Sequence, residues 1–225
     1  MSIWKKWILA LVLVPVVAVA AYVALIHIPL CPQKKGMTYY SRASSAYTFA
    51  NKAAILDYCQ RNGFNTHYCF LVDYSIKSGT PRFFIFDLTQ QRVVYSCLCA
   101  HGMGGGSTDR TPVFSNSEGS LCSSLGRFVI TGVGSRSYKN CFRLKGLDPI
   151  NCNAASRGIL IHAGRMVTYH KWLPYIPLSK TCEGCLTITK SGLRKLHEIY
   201  NREENKRILI YSFYGTKTVL PSQSN

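Results

Sequence analysis

Acidic residues are scarce in this chain. Its 225 residues include 10 Asp and Glu against 27 Lys and Arg, a formal net charge of +17. Only Lys5 and Lys6 of the basic residues precede the first apolar run, so the remainder is itself strongly basic. That balance excludes a polycationic partner and points to an anionic one, either a membrane face or an acidic polymer. Internal repeats are absent, which excludes a solenoid or propeller array. The glycine-rich run His101-Gly-Met-Gly-Gly-Gly-Ser107 is followed by no Gly-Lys-Ser/Thr and by no helix signal, which excludes a nucleotide-phosphate cradle. Hydrophobic residues make up 47% and aromatics 12%, which excludes a disordered chain. The length suits one sizeable core rather than two.

At the N-terminus, Trp4-Lys5-Lys6-Trp7 precedes an apolar run from about residue 8 to about residue 30, interrupted by Pro15, Tyr22, His27 and Pro29. Such a run is long enough to cross a hydrocarbon layer of about 30 Å as a helix. Lys5 and Lys6 predict a cytoplasmic N-terminus and an exported remainder. Ala18-Val-Ala20 offers a cleavage site as the alternative. The run continues past it through Ala21-Tyr-Val-Ala-Leu-Ile26, so an uncleaved signal-anchor is the expectation. Leu30, before Cys31, is too large for a bacterial lipoprotein site. The predicted localisation is therefore the bacterial cell envelope, single-pass in the inner membrane with the folded part extracytoplasmic. Nucleic acid does not fit an exported chain, whereas a wall polymer rich in carboxylates and phosphates does. Ten cysteines in an exported chain make disulfides plausible. Cys141 with Cys152, and Cys59 with Cys69, are candidate pairs.

The predicted organisation is a flank and anchor over 1–30, a linker over 31–45, one folded domain over 46–216 and a tail over 217–225. A helix is expected over 46–62, where Phe49, Ala53 and Leu56 recur at helical spacing and Gly63 stops the pattern. Strands are expected at 68–76, 82–88, 92–98, 127–131, 156–161, 186–189 and 207–213, with 82–88 and 92–98 forming a hairpin. A helix capped by Ser191 is expected to run to about residue 205. The long loop over 101–125 has the length of a functional loop. The balance is mainly β with a few helices.

Two runs carry chemistry. Ile159-Leu-Ile-His162-Ala-Gly164 places a histidine at the end of a buried strand, and Ser179-Lys-Thr-Cys-Glu-Gly-Cys185 ends on a Gly-Cys step. Together they suggest a thiolate nucleophile, Cys185, and its base, His162. Gly184 leaves backbone N–H groups open for an oxyanion. Arg157 either binds a substrate carboxylate or pairs with Asp148, and both readings stand. Cys182-Glu-Gly-Cys185 also reads as a CxxC, but a strand rather than a helix follows it, which is the wrong context for a thioredoxin-like motif. Cys97 and Cys99 are too closely spaced to complete a structural zinc knuckle, so no metal and no cofactor is expected.

The chain resembles the murein L,D-transpeptidase catalytic-domain family, a branch of the YkuD-like enzymes. The resemblance lies in an ordered set of runs across roughly 48–213: Tyr74-Ser-Ile, Arg82-Phe-Phe-Ile-Phe-Asp-Leu88, Ala100-His-Gly102, Phe114-Ser-Asn, Ser123-Ser-Leu-Gly126, Asn153-Ala-Ala with Arg157, Ile161-His162 and Gly184-Cys185. It implies a β-sandwich-like domain that remodels peptidoglycan cross-links, with stem peptides as partners. It implies Cys185, His162 and Gly184 as catalytic and Arg157, His101, Ser124 and Asn153 as substrate-binding. The implied reaction is formation of 3→3 cross-links through a Cys acyl-thioester. L,D-carboxypeptidase activity or a non-catalytic wall-binding domain are the alternatives. The chain departs from the pattern at Cys182, where a Ser or Thr is common, at Glu183, where many relatives carry His, and in a slightly longer interval from His162 to Cys185.

Overall fold

The computed structural model describes residues 3–41, 49–168, 173–179 and 182–215. Nine strands form one sheet: β1 (Tyr68–Asp73), β2 (Phe83–Asp87), β3 (Arg92–Cys97), β4 (Cys99–Ala100), β5 (Gly126–Val133), β6 (Cys141–Gly146), β7 (Leu160–Ala163), β8 (Leu186–Ile188) and β9 (Leu209–Phe213). Their order is β3-β2-β1-β9-β5-β6-β7-β8-β4. β1–β9 and β7–β8 are parallel pairs, and the others are antiparallel. β3 and β4 stand at opposite ends of this order, yet only Leu98 separates them in sequence. The covalent chain therefore holds the two edges together, and the sheet curls into a barrel-like form. This corrects the expectation of a sandwich: there is one curved sheet rather than two stacked ones.

β1, β2 and β9 read as continuous apolar runs because both their faces are covered. On one face Phe70 and Val72 (β1), Phe83 and Ile85 (β2), Phe128 (β5), Phe142 (β6), Ile161 (β7) and Ile188 (β8) pack with Leu193, Leu196 and Ile199 of α3 (Lys190–Arg202). On the other, Cys69 and Leu71, Phe84 and Phe86, and Tyr211 and Phe213 pack with Ile55 and Cys59 of α2 (Lys52–Arg61). Alternate residues along each strand serve the two cores, as the period of two requires. α2 starts at Asn51, whose side chain accepts from the Ala54 N–H, so this helix is shorter than the 46–62 expected. Residues 46–48 lie outside the described residues. α3 is capped by Thr189, not Ser191: its hydroxyl accepts from the Gly192 N–H at 3.0 Å.

The expectation of a membrane-spanning anchor is overturned. α1 (Ile3–Leu25) has 23 residues, but it takes in Lys5, Lys6 and Pro15 and ends before residue 30. Among the described residues no helix is long and apolar enough to cross a membrane. The single-pass inner-membrane placement falls with it. The segment expected to be a linker is tied down as far as it is described. Tyr40 and Phe114 exchange backbone hydrogen bonds of 2.9 and 3.0 Å. Lys34 Nζ donates to the Gly119 carbonyl at 2.8 Å, and Ser115 Oγ donates to that of Thr38 at 2.6 Å. The tail over 217–225 lies outside the described residues. All ten cysteines are free thiols, so neither candidate pair is bridged.

One ion pair ties the site-bearing half of the sheet to α2. The Asp148 carboxylate is fully buried and accepts from the Arg127 guanidinium, with Nε at 2.8 Å, and from the Arg127 backbone N–H at 2.7 Å. The same guanidinium lies over the Tyr58 ring of α2 at 4.8 Å. Removing one partner leaves the other's charge uncompensated in a partly desolvated place. Asp148→Ala should therefore cost about 3 kcal/mol or more. A fall in the denaturant midpoint measures this, and a loss under about 1 kcal/mol would show that the pair is dispensable.

Candidate active site

β7 and β8 run side by side in parallel, with Ile161 opposite Leu186 and His162 opposite Thr187. Cys185 sits one residue before β8, level with Leu160. Residues 185 and 187 share a face of the strand, so the Cys185 thiol and the His162 imidazole emerge on the same side. β7 also pairs with β6, placing Cys141 opposite His162. His162 is buried and Cys185 is partly exposed.

The imidazole is held on three sides. Nδ1 lies 3.1 Å from the Ala163 carbonyl and Nε2 lies 3.3 Å from Thr187 Oγ1. A carbonyl only accepts, so Nδ1 carries the proton and Nε2 presents its lone pair to the hydroxyl. The Tyr138 ring stacks on the imidazole with centroids 4.2 Å apart. Burial lowers the His162 pKa, against the opposing pull of the Ala163 carbonyl. The ring is thus neutral at pH 7 and able to accept a proton at Nε2. The Cys185 thiol lies 3.8 Å from the Gly158 carbonyl. Burial pushes its pKa up to about 11, opposed by the Leu160 backbone and by Arg157. At rest the pair is therefore neutral thiol and neutral imidazole, not an ion pair.

Gly184 has φ +100°, a region that side chains rarely adopt, and a Cβ there would come within 2.3 Å of the Cys122 carbonyl oxygen. Only glycine permits this approach of the Gly-Cys step to the loop. Arg157 organises that loop. Its Nη1 donates to the Ser115 carbonyl at 2.7 Å and to Ser124 Oγ at 2.6 Å, and its Nη2 donates to the Cys122 carbonyl at 2.5 Å. Asp148 belongs to Arg127, which removes the pairing of Arg157 with Asp148. Ser124 is buried, donates to the Ser115 carbonyl at 2.8 Å and works as a clamp within the loop. Asn153 is exposed and braces the loop by donating twice to Asn116, from its backbone N–H to Oδ1 and from Nδ2 to the carbonyl, each at 3.1 Å.

Arg157 acts on the thiol and holds Ser124, whereas His101 bonds to Arg82 and the loop. It is buried, with Nδ1 2.9 Å from Arg82 Nη2 and Nε2 2.8 Å from the Thr108 carbonyl. Burial, and then the Arg82 charge, lower its pKa to about 3. Both ring nitrogens are used inside the loop. Cys182 is buried among Leu98, Met103, Val167 and Ile176, and its sulfur lies 3.8 Å from Ser179 Oγ. Sequence reasoning missed Thr187 and Tyr138. Thr187 was recoverable, because a residue two beyond the thiol on a strand shares its face. Tyr138 carries no local signal, since it reaches His162 only through the connection between β5 and β6. Among the described residues no group of three or more His, Cys, Asp or Glu is placed to hold a metal.

A profile of the L,D-transpeptidase catalytic domain matches residues 40–211. The chain belongs to the L,D-transpeptidase catalytic-domain family. No curated protein matches it. The family acts on peptidoglycan peptides. The matched span begins at Tyr40, where the N-terminal segment joins Phe114, and ends in β9.

A thiol whose pKa is raised to about 11 ionises late. A neutral alkylating reagent should label Cys185 at a rate that still climbs about tenfold per pH unit from pH 8 to 10, because the thiolate fraction does. Peptide mapping separates this signal from Cys152 and Cys31. A plateau already reached below pH 7 would mean a resting thiolate–imidazolium pair.

Proposed function

We propose that the chain is a peptidoglycan L,D-transpeptidase that forms 3→3 cross-links, with Cys185 as nucleophile and His162 as base. The observation that carries this reading is the parallel register of β7 and β8, which sets thiol and neutral imidazole on one face.

Thr187 Oγ1 turns away from Nε2, and Nε2 takes the Cys185 proton as the sulfur attacks the carbonyl of the third residue of a donor tetrapeptide. That residue is a diamino acid. The oxyanion is met by backbone N–H groups around Cys185, left accessible by Gly184. One such donor is worth about 3 kcal/mol in the transition state. The imidazolium returns its proton to the departing amine, D-Ala leaves, and a thioester remains. The side-chain amine of a second stem then attacks the thioester and gives a proton to Nε2. The new amide forms and the thiol is regenerated. Arg157 sets the position of the Cys122 carbonyl, against which the Gly184-Cys185 backbone rests, and adds positive charge near the sulfur.

Purified protein incubated with isolated walls, followed by digestion and mass spectrometry of the fragments, should yield new 3→3 dimers. Tripeptides without dimers would mean that water resolves the thioester, and unchanged walls would mean a binding domain. Intact-mass detection of a carbapenem adduct assigns the sulfur. Cys185→Ala should abolish the adduct, His162→Ala should slow it by about 10²–10⁴, and Cys182→Ser should keep it, because Cys182 faces an apolar cluster. An adduct that survives in Cys185→Ala would overturn the assignment.

A further inference from the structure

A cleft opens beside Tyr138 and Ala163, next to His162. Its volume is about 540 Å³. Tyr138, whose ring stacks on the imidazole, and Ala163, the next residue of β7, form its inner end. Lys190, Leu193, Arg194 and His197 line one flank from α3, at the spacing of a single helix face, and Lys139 faces them from the β5–β6 connection. No acidic residue lines the cleft. Among the described residues Lys139, Lys190 and Arg194 make no salt bridge, whereas the neighbouring Lys195 pairs with Glu198 at 2.9 Å. His197 Nε2 is buried without a hydrogen-bond partner, and its ring packs on Phe142 at 4.4 Å. An orphaned buried nitrogen beside three cations that form no salt bridge is costly unless something occupies the place.

We propose that this cleft binds a carboxylate of the second, acceptor stem peptide and so delivers its amine to His162. The inference rests on the transpeptidase reading above. Three observations favour a peptide carboxylate. The cations ring a partly apolar lining of Leu193, Ala163 and Tyr138, which suits a peptide chain rather than a bare phosphate. The volume admits a few residues. Tyr138, which lines the cleft, stacks on His162, the base that would serve the acceptor amine. Arg194 and Lys190 are exposed at the rim, and His197 lies deeper, where burial now keeps its ring neutral.

The test uses the full-length protein and three probes: a stem tripeptide with a free C-terminal carboxylate, the same peptide as its C-terminal amide, and inorganic phosphate. Calorimetry gives affinity, and NMR follows the His197 ring. The free acid should bind about tenfold more tightly than the amide, and Lys190→Ala and Arg194→Ala should each weaken it by about tenfold. Arg194→Lys should retain part of the binding. The thermal midpoint should not move, because both side chains are exposed. The His197 pKa should rise when the free acid binds, a change that altered folding alone would not produce.

Equal affinity for acid and amide, undiminished binding by the variants, or displacement by phosphate at matching concentration would each overturn the peptide-carboxylate site. Acylation of Cys185 by a donor tetrapeptide, read by intact mass on the same preparation, separates the two proposals. Tripeptide binding without acylation keeps a peptide-carboxylate site in the cleft but overturns the transferase reading and, with it, the acceptor role. Acylation without tripeptide binding overturns the cleft.

Discussion

Everything at the candidate site follows from the pairing of β7 with β8. Were the register to slip by one residue, the side chain opposite His162 would no longer be on the face that carries Cys185. Parallel pairs are not joined by tight turns, and here the connection runs from Gly164 to Gly184. The register is instead fixed by what lies on either side. β6 holds β7 through Cys141 opposite His162, and β4 holds β8 through Cys99 opposite Ile188. The register is thus set by two flanking strands, β6 and β4, that contribute no candidate catalytic residue.

A second tier of constraint acts on the Gly-Cys step. Arg157 gathers the Ser115 and Cys122 carbonyls and the Ser124 hydroxyl, and the Cys122 carbonyl in turn presses on Gly184. Three residues that the sequence marks as substrate contacts, Arg157, Ser124 and Asn153, have their hydrogen bonds directed into the long loop and shape the wall of the site. His101 is buried as deeply as Ser124, and it accepts from Arg82, a fully buried guanidinium that also donates to the Cys99 and Ile76 carbonyls and lies over the Tyr74 ring. A sequence motif reports that a residue type is required. It does not report whether the requirement is contact with substrate or support of the loop beneath it.

The sequence and the structure agree most where a signal is local. Apolar runs mark β1, β2 and β9, and the hairpin of β2 and β3 lies where its turn residues put it. The Gly-Cys step and the strand-end histidine are legible because each depends on a few neighbouring residues. β6 escaped, since Cys141-Phe-Arg-Leu-Lys-Gly146 alternates with charged Arg143 and Lys145 on its outer face and looks like polar loop. The curl of the sheet escaped because it depends on which strands end the order. The anchor reading failed on where α1 ends and on the lysines it includes. The stacking of Tyr138 on His162 depends on a loop conformation that no spacing rule reaches.

The strand order has a consequence for assembly. β9 lies between β1 and β5 and, among the described residues, is the one strand whose ladders join β3-β2-β1 to the five strands that carry the candidate site. It is also the last strand among the described residues, paired with β1 across some 140 residues of sequence. During synthesis the earlier strands must wait, half-matched and with sticky edges, until this segment appears. Closing so long a loop before any reward makes folding slow and leaves the intermediate open to association with other copies. Lesions in β9, though far from any reacting atom, would then act on yield rather than on chemistry, by lengthening the time the two halves spend apart.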